Sequence, residues 1–163
     1  MDKILEEFYK YNITHMENYV KNNPEIDENN YTIDEVIHAL DLDLNIVFQV
    51  LNVQFNRVGL NYWKSAVILL VLSKKEKLKM FADVYFHVAK KYGKSVCSVE
   101  RCMRLCFEDT PYFAFKDTNY IIDFMKSDLL VPHNSRILYK VAELISGKKF
   151  QDNKHKFIKI YNP

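Results

Sequence analysis

Glu100, Arg101 and Arg104 form the cluster in this chain best suited to reading another molecule through hydrogen bonds. At about 100° per residue, a helix over 96–108 turns Cys97, Glu100, Arg101, Arg104 and Glu108 outward. Val99, Cys102, Met103 and Cys106 fall on the opposite, inward face. An outward guanidinium can hold guanine O6 and N7 with two parallel bonds, and an outward carboxylate can accept from cytosine N4. Only four of the 23 basic residues are arginine, and two of those four stand three residues apart here. A plain i,i+4 surface ion pair explains Glu100 with Arg104. It does not explain why half the arginines share one turn.

Such a helix needs a scaffold to present it. Residues 80–92 and 96–108 read as two helices separated by Gly93-Lys94-Ser95. Ala89 is small where the helices approach closely. Gly93, four residues later, can take the positive φ that a tight turn demands. Val99, ten after Ala89, plugs the angle between the helices, and Val88 and Tyr92 add apolar contacts. This is helix-turn-helix spacing, which many helical hairpins also satisfy. Ser95 caps the second helix, whose free N–H groups favour a phosphate. Lys90, Lys94 and Ser95 lie around the turn, placed for phosphate contacts.

The rest of the chain reads as helical. Leu5, Phe8, Tyr9, Ile13, Met16 and Val20 put an amphipathic helix over 2–21, followed by a polar break with Pro24. Thr32 and Glu35 form a capping box opening a short helix to about Leu40. Asp41 and Asp43 read as caps of a further helix ending near Asn52. Gly59 marks a turn, and Tyr62–Ser73, with Trp63 in the core, is the buried central helix. The lysine-rich stretch 74–79 is a solvated helix start or loop, with phosphate contact as the sharper option. Tyr112 to Phe115 reads as a strand or wing after Pro111. Asn119–Met125 is a short helix; the loop 131–135 ends in an N-cap; Arg136–Ser146 is a helix closed by Gly147. The fold class expected is an all-α helical bundle containing a helix-turn-helix, with an extra acidic N-terminal helical segment. The division is 1–45 extension, 46–148 helix-turn-helix domain and 149–163 basic tail.

Composition narrows the function. The chain has 163 residues, the size of one domain, and 48% of them are hydrophobic, enough for a core. Three Gly and four Pro are too few for an all-β sandwich. The longest apolar run, Ala66 to Leu72, is far short of the roughly 20 residues that span a membrane. The acidic N-terminus is no signal peptide, so a cytoplasmic, nucleoid-associated protein is expected. Residues 1–58 hold 4 Lys/Arg against 11 Asp/Glu, and residues 59–163 hold 19 against 10. A basic body suits a polyanion, although two ordinary solvated surfaces give the same counts. Cys97, Cys102 and Cys106 fit neither a disulfide nor a zinc pattern and read as small apolar fillers. The five histidines are scattered, and there is no Gly-rich phosphate loop or nucleophile motif. His87 reads as a surface or packing residue. No enzyme, metal or cofactor is expected.

The segment VAKKYGKSVCSVERCMRLCFE, residues 88–108, resembles the helix-turn-helix of a known family. That family is the C-terminal DNA-binding domain of the master sporulation response regulator of endospore-forming bacteria. The shared elements are A-K-K-[YF] closing the first helix and V-E-R-x-x-R in the second. The spacing from Gly59 through Tyr62 and Ala66 to Glu100 matches without a gap, and PHNSRILYKVAELI, 132–145, resembles the closing helix with its P-x-N-S start. The resemblance covers about residues 46–148. It implies a helical bundle that binds short tandem DNA boxes and regulates transcription, with Glu100, Arg101 and Arg104 contacting bases. Three departures stand out. Ser98 replaces a basic residue, the stretch around Pro111 is shorter, and residues 1–45 cannot form a receiver domain, so control by receiver phosphorylation is not expected.

Double-stranded DNA is therefore the expected partner, with RNA polymerase and a second copy as further partners and no membrane. A protein-interaction module of the same fold, binding a host regulator or RNA polymerase instead of DNA, is the alternative. For the acidic residues 1–45 three roles compete: packing on the basic body, a dimerisation arm, or an electrostatic lid over the DNA-binding face.

Overall fold

Helix α3, Val58–Leu72, organises the molecule because its sequence is apolar almost all round. A helix without a wet face must be surrounded, and α3 packs against five α-helices. The computed structural model describes residues 13–53, 58–73, 77–108 and 119–161. Around α3 stand α1 (Ile13–Asn22), α2 (Ile33–Val50), α4 (Phe86–Tyr92), α5 (Val96–Cys106) and α7 (Asn134–Ser146), with α6 (Tyr120–Leu130) and α8 (Lys148–Tyr161) outside them. All the regular elements among the described residues are helical, so the fold is all-α. The start of the 2–21 stripe, Arg57, the first lysines of 74–79 and the expected wing lie outside the described residues.

Gly59 does not mark a turn. It is buried in the first turn of α3, where a Cβ would collide with the Cys102 carbonyl oxygen and lie 2.6 Å from Cys106 Sγ. The missing side chain lets α3 and α5 approach. Four residues on, Trp63 Nε1 donates to the Met103 carbonyl at 2.7 Å, and its ring meets Phe107 edge-on at 5.0 Å. These contacts hold α5 by its inward face.

α2 is one helix, not two. Thr32 caps it, accepting from the Glu35 N–H at 3.2 Å. No glycine or proline interrupts Ile33–Val50, so nothing stops the helix at Leu40. Asp41 and Asp43 sit in its interior rather than capping. Asp41 pairs with Lys64 of α3 at 3.1 Å. Asp43 is buried and receives three donors: Tyr19 Oη at 2.5 Å, Gln151 Nε2 at 2.8 Å and Lys154 Nζ at 3.0 Å. The basic tail is thus helix α8, with Phe150, Gln151, Lys154 and Phe157 turned inward. Asp43 and Lys154 are each 2% exposed, so α1, α2 and α8 are clasped around one buried ion pair.

Three further details differ from expectation. α6 starts under the Asn119 cap but continues to Leu130. α7 begins at Asn134, with Ser135 exposed inside its first turn. Gly147 closes α7 as expected, at φ −83°, an ordinary extended conformation. The stretch Met80–Tyr85, ahead of α4, is a π-helical turn. The Lys79 carbonyl there accepts from Asp83 at 2.9 Å and from Val84, five residues on, at 3.2 Å.

Candidate nucleic-acid interface

α4 ends at Gly93, whose φ of 64° lies in the left-handed region. A Cβ there would meet nothing within 4 Å, so the position demands a backbone conformation and not space. The following N–H, of Lys94, returns to the Ala89 carbonyl at 2.9 Å and satisfies the helix end. Ser95 then caps α5, its hydroxyl accepting from the Ser98 N–H at 3.1 Å. Val88 and Ala89 of α4 and Val99, Met103 and Cys106 of α5 are buried in the core.

The outward side of α5 carries Cys97, Arg101 and Arg104 exposed, with Glu100 half-buried. Arg104 Nε lies 3.1 Å from Glu100 Oε1, the i,i+4 pair anticipated from spacing. An exposed pair of this kind contributes roughly 0.3–0.5 kcal/mol, little enough for a ligand to rearrange. Lys90, Lys94 and Ser95 are also exposed around the turn. The cysteines split: Cys106 fills the core as expected, whereas Cys97 faces solvent. His87 is buried, a packing residue.

Neighbouring residues on α4 take a different direction. Lys91 Nζ donates to Ser65 Oγ at 3.2 Å, and the Tyr92 ring packs on Tyr62 at 5.0 Å. One positioning residue escaped the sequence reading. Asn134 Nδ2 donates to Tyr85 Oη at 2.9 Å and to the Glu100 carbonyl at 3.4 Å. It therefore ties the start of α7 to the π-turn and to the middle of α5. The P-x-N-S motif signalled it, but a loop Asn reads first as a capping residue.

Among the described residues, no three His, Cys, Asp or Glu side chains gather to hold a metal ion. No described helix is long and apolar enough to cross a membrane.

A left-handed glycine turn, a buried valine in the elbow and a capped second helix with arginines outward define a helix-turn-helix protein. Residues 45–145 match the family described as Sporulation initiation factor Spo0A C terminal, and the chain belongs to that family. This is the DNA-binding domain of a sporulation regulator, as the V-E-R-x-x-R resemblance implied. It is a regulatory domain and not an enzyme family. No curated protein and no solved structure gives a significant match. The family match leaves α1, most of α2 and all of α8 outside it.

Proposed function

We propose that the protein is a sequence-specific transcription regulator whose helix α5 enters the DNA major groove. Glu100, Arg101 and Arg104 read base edges, while Lys90, Lys94 and Ser95 hold phosphates. The observation that carries this reading is the exposure of Arg101 and Arg104 on a helix whose other face is locked into the core. The family's DNA-binding role supports it. The protein acts in the cytoplasm, at the nucleoid. Control does not run through a receiver in residues 1–45, because the described part, 13–45, is built into the helical bundle.

The test is fluorescence anisotropy with the tandem box of the family against a scrambled duplex, at two salt concentrations. Selective binding is expected, lost in large part with Arg101→Ala or Arg104→Ala at about 1–3 kcal/mol each. Lys94→Ala weakens binding to both duplexes alike and flattens the salt slope by about one unit. If both arginine variants bind like the parent at both salts, α5 does not read bases.

A second reading, a module that binds RNA polymerase or a host regulator, draws on Phe81 and Phe86. They are 65% and 56% exposed just ahead of the helix-turn-helix, and exposed aromatics are common anchors of protein interfaces. Protein binding that persists at high salt, without DNA binding, would favour it. A homodimer on paired half-sites is compatible with the first reading.

A further inference from the structure

The cleft between α2, α3 and α4 has no part in the DNA face. Aside from its aromatics, the apolar helix α3 carries three polar side chains, Asn61, Lys64 and Ser65. All three line this one cleft, of about 410 Å³, within the range of roughly 300–1,000 Å³ typical of small-ligand sites. On the α4 side, the buried Ser65 hydroxyl accepts from Lys91 Nζ at 3.2 Å and lies 2.9 Å from Tyr92 Oη. On the α2 side stand the carboxylates of Asp34 and Asp41, the latter 3.1 Å from Lys64 Nζ.

Apart from His38 on α2, two ammonium groups balance two carboxylates, and the cleft is polarised between the two helices. A purely anionic ligand meets Asp34, and a purely cationic one meets Lys91; the complement is a zwitterion with separated charges. α2 and α4 both pack on α3 and line opposite sides of the cleft. An extended peptide covers about 3.3–3.6 Å per residue, so a chain of a few residues holds its two terminal charges apart, as the cleft holds Lys91 on α4 apart from Asp34 on α2. Ile37 and Ile68 offer apolar surface for a side chain.

We infer that this cleft binds a short peptide by both free ends, its carboxylate at Lys91, Ser65 and Tyr92 and its ammonium at Asp34. Asp34 and Asp41 precede the family-matched region, so the site is made by joining this chain's extension to the helix-turn-helix.

The test is NMR titration of the ¹⁵N-labelled full chain with trialanine, N-acetyl-trialanine and trialanine amide. Trialanine is expected to shift the amides of Asp34, Ser65, Lys91 and Tyr92. Capping either end is expected to weaken binding by about tenfold, the effect of one lost charge-assisted hydrogen bond. Lys91→Met then removes the penalty for amidation, and Asp34→Asn removes that for acetylation; both positions are exposed, and circular dichroism checks the fold. No shift with millimolar trialanine, or equal binding of all three peptides, overturns the proposal. A penalty for amidation alone also overturns it, leaving a simple carboxylate site.

Discussion

Gly59 and Gly93 serve the same helix for opposite reasons. Gly93 supplies a left-handed backbone in open space, and Gly59 supplies space in an ordinary helix. Gly93→Ala is expected to cost about 1–2 kcal/mol from left-handed strain, and Gly93→Asn less. Gly59→Ala forces overpacking of α3 on α5 and is expected to cost at least about 1–3 kcal/mol. Urea denaturation measures both, and equal effects of Ala and Asn at Gly93 would contradict the conformational account. The contrast shows what the chain discloses on inspection. Gly93 is legible because its demand is local, four residues after Ala89 and two before a Ser cap. Gly59 is not, because its neighbours Cys102 and Cys106 are more than forty residues away.

At the scale of elements, the inward face of α5 and the whole of α3 follow from periodicity, since apolar spacing alone states which side is buried. The join of α1, α2 and α8 does not. Asp43 resembles a helix cap and Lys154 a surface lysine until α8 folds back and excludes water from both. Removing one partner of a buried pair strands the other charge, so Lys154→Met is expected to lose about 3–5 kcal/mol. The double variant Asp43→Asn with Lys154→Met should recover much of that loss, because no buried charge remains. Denaturation of the two single variants and the double variant tests this; additive losses would mean that the two groups act independently.

For the molecule as a whole, burial shows where the described part of the acidic head packs. The described part, residues 13–45, packs chiefly on α3, α7 and α8, and Arg101 and Arg104 stay exposed. That part extends the core and leaves both arginines uncovered. The helical bundle also hides several phenols. Burial pushes Tyr120 up to about 12, and burial followed by the Asp43 carboxylate pushes Tyr19 up as well. A raised phenol pKa favours the neutral form in the folded state. Its contribution is complete below the unfolded value of about 10 and is lost as pH rises toward about 12. Stability should therefore fall over that window, with a fraction of the tyrosines ionising only on unfolding. Ultraviolet titration of tyrosinate reads this directly, and uniform titration of every tyrosine near the ordinary value would refute it.

The wide turn at Met80–Tyr85 amounts to one surplus residue that a helix has absorbed. From Phe86 onward the chain keeps its register, so α4, the glycine turn and α5 are insulated from length changes upstream. Deleting Ala82 should restore regular winding and swing the preceding segment by about 100°. That strains the anchor of Leu78, whose N–H and carbonyl both bond to Tyr139 Oη at 3.1 and 3.0 Å. The expected outcome is a lower melting temperature with an unchanged preference among DNA sequences. In lineage terms, an insertion or deletion in the connector can be tried and discarded without rewriting the reading head.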